Sequence, residues 1–247
     1  MVSVPPYSFE IDPFHTALII VDMQYATGCR SEGLGKLLGQ AGLLDEKRSY
    51  FEQIEQVVIP NLQKIIGYFR ENSLPVIFVQ SGSELADCAD APPHRIQRYR
   101  IRNQYRGQRA FEILDEIKPQ PNDHVVNKTT VSAFTSSGLE SLLHALNVDC
   151  VLVGGILTDV CVALTARNAA DFGFNSLVVE DCCCSDDETH HRVELETHSR
   201  LFGRTATTQT VIGEMSAKLR SHKTTNADSR VEQTAAEPDA TFSEHSI

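Results

Sequence analysis

Short runs of apolar, β-branched residues recur along the chain and alternate with helical patterns. The runs long enough for a buried strand are residues 16–22, 75–80, 124–128, 149–155 and 175–181. Residues 51–69 carry apolar side chains at helical spacing, and Pro60 is expected to kink or divide this helix. Residues 139–146 and 158–172 predict two further helices, the second ending at Gly173.

This alternation of strands and helices predicts an α/β fold. Because the strands are apolar on both faces, we expect a central parallel sheet between two layers of helices, a three-layer α/β/α architecture with Rossmann-like topology. Ligands of such sheets bind at the carboxyl ends of the strands. One domain is the simplest interpretation of 247 residues, although two small domains are compatible with this length.

The apolar pattern ends near Leu219. We therefore assign residues 1–219 to the folded domain. Residues 220–247 are polar, mostly acidic and nearly free of large apolar side chains, so they predict a disordered acidic tail.

Composition limits the partners and the compartment. A formal net charge of −11 argues against binding to nucleic acid or to an anionic membrane surface, although a local basic patch could still bind an anion. The chain shows neither a signal-peptide pattern nor an apolar stretch long enough to span a bilayer. Its 7 cysteines are an odd number, so they cannot all be paired, and free thiols fit a reducing compartment. We predict a cytoplasmic protein.

Three polar side chains lie at the ends of predicted strands. Asp22 ends the first run, Lys128 ends the third, and Cys161 follows the Gly-Gly end of the fourth, close to the start of a helix. Backbone N–H groups at a helix start stabilise a thiolate, and a nearby lysine would further lower the pKa of a thiol. Because parallel strands end at one edge of the sheet, these residues are expected to share a cleft.

Each of these residues also has a purely structural interpretation. Cys161 could be a small buried apolar residue, as most free cysteines are. Asp22 could serve a turn at the strand end, and Lys128 could be a solvated lysine at a strand end. Three consistent placements favour a shared site over three coincidences.

Longer stretches around these residues resemble the signature blocks of the isochorismatase-like cysteine hydrolases. They are ALIIVDMQ, NKTTVSAFTSSGLESLL, and LVGGILTDVCVALTARNAADFGF followed by LVVEDCC, and the similarity runs from about Thr16 to Leu219. The resemblance implies a catalytic triad of Asp22, Lys128 and Cys161. It also implies a cis peptide bond between Ile156 and Leu157, and an oxyanion hole formed by the backbone N–H groups of Leu157 and Cys161.

The implied reaction is hydrolysis of a C–N bond in a small amide, ureido or carbamoyl compound through a covalent acyl-enzyme, with neither metal nor organic cofactor. The segment QSGSELADCADAPPH lacks the metal-binding pattern of nicotinamidase-like members, and Cys161 argues against isochorismate cleavage, whose enzymes lack this cysteine. The alternative is a catalytically silent member of the fold that binds a small molecule or a protein. A thiol-based redox protein using Cys182–Cys184 is a third possibility.

Further residues are expected to contact the substrate. By resemblance and position these are Gln24, Tyr25, Phe134, Ile156 and His198. For Phe134, a place in the core is about equally compatible with the sequence. The remaining histidines of this region, His190 and His191, are expected at the surface, and we predict that Cys182–Cys184 pack at the strand end near the cleft.

An arginine-rich stretch, residues 95–109, departs from the acidic composition. It is more typical of a solvated or subunit-facing charged loop, but one of its arginines could bind an anionic substrate, since guanidinium groups recognise carboxylates. Relatives of this family commonly form oligomers, so the resemblance implies a homodimer or homotetramer.

Overall fold

Parallel strands form one central sheet in the computed structural model, which describes residues 7–235, with side chains through residue 222. The strands are β1 (Thr16–Val21), β2 (Val76–Ser81), β3 (His124–Lys128), β4 (Cys150–Ile156), β5 (Asn175–Cys184) and β6 (Arg204–Ala206). Their order is β3-β2-β1-β4-β5-β6, with every neighbouring pair parallel. All carboxyl ends therefore meet at one edge.

Helices cover both faces of the sheet. They are α1 (Tyr25–Gly28), α2 (Gly33–Gln40), α3 (Arg48–Gln53), α4 (Ile59–Glu71), α5 (Pro93–Arg102), α6 (Ala133–Ser136), α7 (Leu139–Ala145), α8 (Ala163–Asp171), α9 (Glu188–Leu201) and α10 (Thr208–Ala235). Apolar residues of α4 and α10 form one core cluster, and those of α7 and α8 form the other. The predicted three-layer α/β/α architecture is confirmed.

The strand β1 shows how the sequence builds both cores. Leu18 and Ile20 join the cluster under α4, whereas Ala17, Ile19 and Val21 join the cluster under α8. This alternation follows from the two-residue period of a strand. All of β1 is buried, and each buried branched side chain stabilises the fold by about 1.5–3 kcal/mol relative to an exposed one.

Both long predicted helices contain a π-helical segment. The first is divided as expected: α3 leads into a π-helical segment, Ile54–Val58, and α4 then begins with Pro60 in its first turn. Proline has no N–H to donate and its ring clashes with the preceding turn of a regular α-helix, and here the preceding turn is π-helical instead. The second begins with another π-helical segment, Thr158–Val162, which holds the candidate nucleophile and continues into α8.

The arginine-rich stretch is not a loop over its whole length. Residues 93–102 form α5, which ends at Asn103 in a left-handed conformation. Tyr99 is fully buried, and its hydroxyl group forms hydrogen bonds with Ser81 Oγ at 2.8 Å and Thr129 O at 3.1 Å. This anchor fixes the helix beside the carboxyl end of β2, so the expectation of a charged loop is wrong here.

The C-terminal helix α10 continues past the predicted domain boundary and reaches Ala235. The rest of the predicted acidic tail, residues 236–247, lies outside the described residues, so the tail stays a prediction. Within the described part of the chain, no helix is both long and apolar enough to cross a membrane.

Candidate active site

Asp22 follows β1 in a left-handed backbone conformation with φ 54°, which is unusual for a residue with a side chain. Its backbone N–H donates to Val79 O at 2.9 Å, and its carbonyl oxygen accepts from Thr27 Oγ1 at 2.7 Å. These bonds hold the strand end in this conformation. Asp22 is 3% exposed and lies at the edge where the strands end.

Lys128, the last residue of β3, reaches this carboxylate. Its Nζ donates to Asp22 Oδ2 at 2.9 Å and to Thr130 O at 3.2 Å, and the whole lysine is buried. Burial disfavours the charged amine, but Asp22 and Cys161 outweigh it and raise the pKa of Lys128. The buried Asp22 carboxylate therefore has a cationic partner within hydrogen-bond distance.

Cys161 lies in the turn between β4 and α8 and is 6% exposed. Arg95 of α5 approaches its thiol, with Nη2 at 3.8 Å from Sγ. Burial and the charge of Asp22 raise the pKa of this thiol to about 11, whereas Lys128 and Arg95 lower it. The expectation of a stabilised thiolate is therefore wrong, because the effect of burial on the thiol pKa is larger than the opposing effect of the Lys128 and Arg95 charges. Cys161 rests as a thiol and needs a base.

The backbone beside Cys161 is held in a fixed shape. The peptide bond between Ile156 and Leu157 is cis, at the position that the resemblance implied. Leu157 O then accepts hydrogen bonds from the N–H groups of Val160 and Val162, both at 3.1 Å. Asp159 ties the same turn to the residue that follows β5, since its Oδ1 accepts from Ser185 Oγ at 2.6 Å.

A cavity of about 430 Å³ opens over these residues. Asp22, Cys161, Ile156 and Leu157 line it, as the shared-cleft hypothesis requires, whereas Lys128 does not line it and reaches the site through its hydrogen bond to Asp22. This volume suits a small organic molecule. The other lining residues are Thr27, Leu34, Leu38, Lys47, Tyr50, Ser81, Arg95, Arg98, Arg102, Gln104, Asp159, Val160, Asp186 and His190.

Of the predicted substrate contacts, Ile156 lines the cavity and the other four do not. The Gln24 amide is buried and bonded to backbone, accepting from Ser81 N at 2.8 Å and donating to Phe111 O at 2.6 Å. Tyr25 instead stacks under the Arg109 guanidinium, which lies 3.8 Å from its ring centre.

Phe134 and His198 belong to the core. Phe134 stacks on Phe172 at 5.3 Å between ring centres, which favours the structural alternative. The His198 Nε2–H donates to Ser176 O at 3.3 Å, and burial lowers the pKa of this histidine to about 4. Neither residue lines the cavity.

The site also includes residues that were not among the five predicted substrate contacts. Arg95, Arg98 and Arg102 line the cavity from α5, and their spacing of three and four residues was the available signal. His190 is exposed, as expected, and it also borders the cavity, 3.7 Å from Asp159 Oδ2.

The cysteines of β5 pack inside the protein, as predicted. Cys182, Cys183 and Cys184 are buried, and burial raises the pKa of Cys182 and Cys184 to about 12. All cysteines are free. Cys161 is the one that lines the described cavity.

The fold and the Asp22–Lys128–Cys161 cluster can be compared with known proteins. Residues 16–210 match the isochorismatase domain model. The chain therefore belongs to the isochorismatase domain family. The ureidoacrylate amidohydrolase RutB of Pseudomonas savastanoi pv. phaseolicola is 30% identical over 190 residues, covering 71% of this chain and 73% of the relative. RutB of Acinetobacter baylyi is 26% identical over 222 residues, covering 84% and 86%.

Solved structures agree with this fold. A cysteine hydrolase from Pseudomonas syringae pv. phaseolicola 1448A has a TM-score of 0.73 at 24% identity, covering 88% of this chain and 100% of that one. The N-carbamoylsarcosine amidase from Thermoplasma acidophilum has a TM-score of 0.59 at 25% identity, covering 78% and 96%. The prediction of an amidohydrolase is confirmed at the level of relatives, which are by name amidohydrolases and an amidase.

Proposed function

We propose that this protein is a cysteine-dependent amidohydrolase that cleaves a C–N bond of a small ureido or carbamoyl compound through a covalent acyl-enzyme. One observation carries the proposal. Asp22 Oδ2 accepts a hydrogen bond from Lys128, whereas Oδ1 is buried and accepts none from the described residues, in the same cavity as the protonated Cys161 thiol. This free oxygen is suited to be the base that the thiol requires.

In the first half-reaction, Asp22 Oδ1 takes the proton of Cys161 as Sγ attacks the carbonyl carbon. The tetrahedral intermediate carries a negative oxygen, which we assign to the backbone N–H groups of Leu157 and Cys161. The C–N bond then breaks, and the leaving nitrogen receives the proton held by Asp22. Ammonia or an amine departs, and the acyl group remains on Sγ.

The second half-reaction repeats these roles with water. Asp22 accepts a proton from water as the water oxygen attacks the thioester carbon. The C–S bond then breaks, and Asp22 returns the proton to Sγ, which restores the Cys161 thiol. Lys128 contributes by holding Asp22 in place and by keeping a positive charge beside its carboxylate between transfers.

The test is product release by the wild type and by Cys161→Ser with a panel of ureido, carbamoyl and simple amide compounds. We expect loss of turnover in Cys161→Ser and a mass adduct on Cys161 in the wild type. Cys29→Ser is the matched control, since Cys29 is a free cysteine outside the cavity. Binding without turnover or adduct would instead support the catalytically silent alternative.

The compartment and the assembly are part of the same proposal. A free nucleophilic thiol and unpaired cysteines fit a reducing compartment, which supports the cytoplasm. The homodimer or homotetramer implied by the resemblance stays a prediction, and light scattering of the purified protein measures it.

A further inference from the structure

The helix α5 directs three arginines into the cavity. Arg95, Arg98 and Arg102 are spaced by three and four residues, so they share one face of the helix. All three line the cavity that also contains Asp22 and Cys161. Arg95 contacts the thiol itself, so this face begins beside the nucleophile.

These arginines lack counter-charges among the described side chains, residues 7–222: no carboxylate there forms an ion pair with any of them. The other arginines of this stretch are engaged outside the cavity. Arg106 pairs with Glu84, Arg109 pairs with Asp115 at 2.6 Å, and Arg100 donates to Asp87 O at 2.8 Å.

The acidic residues of the cavity have partners already. Asp22 is bound by Lys128, and Asp186 accepts from Lys47 Nζ at 2.8 Å. Asp159 is bonded to Ser185. The arginine face is therefore an excess of positive charge inside an otherwise acidic protein.

Holding these charges together is unfavourable in the free protein. Arg95 is 7% exposed and Arg102 is half-buried. Burial, with repulsion from Arg98 and Arg95, lowers the pKa of Arg102 to about 10. A bound anion would remove this repulsion and supply acceptors for the guanidinium N–H groups.

We infer that Arg95, Arg98 and Arg102 form an anion subsite that binds the carboxylates of the substrate, with two carboxylates preferred over one. Lys128 balances Asp22 and Lys47 balances Asp186, so the three arginines exceed the remaining acidic lining residue, Asp159, by two positive charges, which favours a dianionic group. Leu34, Leu38 and Tyr50 line the same cavity and suit the hydrocarbon part of such a molecule. The substrate class is therefore a small carbamoyl or ureido dicarboxylic acid. This assignment of substrate rests on the proposed function.

The kinetic test compares N-carbamoylglutamate with N-carbamoylglutamine, which are nearly isosteric and differ by one charge. For the wild type we expect kcat/KM to favour the glutamate compound by about tenfold or more, the size of one lost charge-assisted hydrogen bond. In Arg98→Gln and Arg102→Gln this preference should fall toward one, through KM with kcat retained. Arg98→Lys should show an intermediate preference, because lysine keeps the positive charge but cannot form the two parallel hydrogen bonds of a guanidinium group.

Arg200→Gln is the matched control, since Arg200 is an exposed arginine of α9 outside the cavity. Its preference should equal that of the wild type. Equal turnover of both compounds by the wild type, or no effect of the α5 variants, would overturn the subsite while the amidohydrolase stands.

Calorimetry with succinate, its dimethyl ester and inorganic phosphate tests the subsite without catalysis. We expect succinate to bind and the ester not to bind. In Arg98→Gln, the affinity for succinate should fall by about tenfold. Tighter binding of phosphate than of succinate would overturn the carboxylate assignment. Succinate binding without turnover of any amide or adduct on Cys161 would overturn the proposed function alone.

Discussion

The buried pair of Asp22 and Lys128 illustrates how one contact serves both folding and chemistry. Lys128 is completely buried, so its charge is tolerated only because the Asp22 carboxylate and the Thr130 carbonyl surround it. The same bond leaves Asp22 Oδ1 available to the thiol. Removing either partner therefore affects stability as well as activity.

Replacing Lys128 by Met should destabilise the protein by about 3–5 kcal/mol, because Asp22 would remain buried without a counter-charge. The double variant Asp22→Asn/Lys128→Met should recover most of this loss while remaining inactive. Urea unfolding monitored by circular dichroism measures both effects. Arg48→Met, which breaks an exposed ion pair with Asp45, should change stability little. A single variant as stable as the wild type would contradict the role of the pair.

The ionisation of Cys161 gives a second prediction for a single residue. Its thiol pKa is raised to about 11, so alkylation by iodoacetamide should be slow at neutral pH and should accelerate up to about pH 11. Arg95→Gln removes a charge that lowers this pKa, so its profile should shift to higher pH. Peptide mass spectrometry assigns the alkylated cysteine, and Arg106→Gln should leave the profile unchanged. A plateau reached below pH 8 would mean that Cys161 rests as a thiolate.

At the scale of elements, the junction of β1 and β4 sets the geometry of the site. Gly155 has φ 119°, and a Cβ at this position would lie 2.0 Å from Val21 O. Asp22 follows Val21, and Ile156 follows Gly155. The close approach of the two strands therefore fixes the distance between the base and the turn that carries the nucleophile.

Gly155→Ala should destabilise the protein by about 3 kcal/mol or more and reduce activity, since the added methyl group meets backbone and strains φ. Gly67→Ala is the control: Gly67 lies within α4 with open space around its Cα, so this change should stabilise by about 0.5–1 kcal/mol. Thermal unfolding compares the variants. Equal stability of Gly155→Ala and the wild type would show that the strands can separate there without cost.

The elements also show what could be predicted from the sequence. Apolar runs indicated β1 to β5, because buried strands need such runs, and strand ends brought Asp22, Lys128 and Cys161 together. The strand β6 is only three residues long, too short for a pattern. The helix α5 is so polar that its single buried face, around Tyr99, gave a weak signal. Side-chain directions at Gln24 and His198 depend on tertiary packing, which periodicity does not report.

At the scale of the whole molecule, the protonation of His198 makes the stability of the fold depend on pH. His198 is fully buried on α9, where it bonds to β5, and burial together with the charge of Arg167 lowers its pKa to about 4. The unfolded chain would bind a proton near pH 6.5, whereas the folded protein resists it until about pH 4. The folded state therefore binds fewer protons than the unfolded state within this window.

Stability contributed by neutral His198 should be fully present above pH 6.5 and should be lost as pH falls toward 4, by about 3 kcal/mol in total. In His198→Gln the amide can still donate to Ser176 O but does not titrate. The difference in unfolding free energy between wild type and variant should therefore change by about 2–3 kcal/mol, against the wild type, between pH 7.5 and 4.5. The carboxylates are the same in both proteins, so their contributions to the pH dependence of the unfolding free energy cancel in this difference. A difference that stays constant with pH would mean that His198 is protonated equally in the folded and unfolded states.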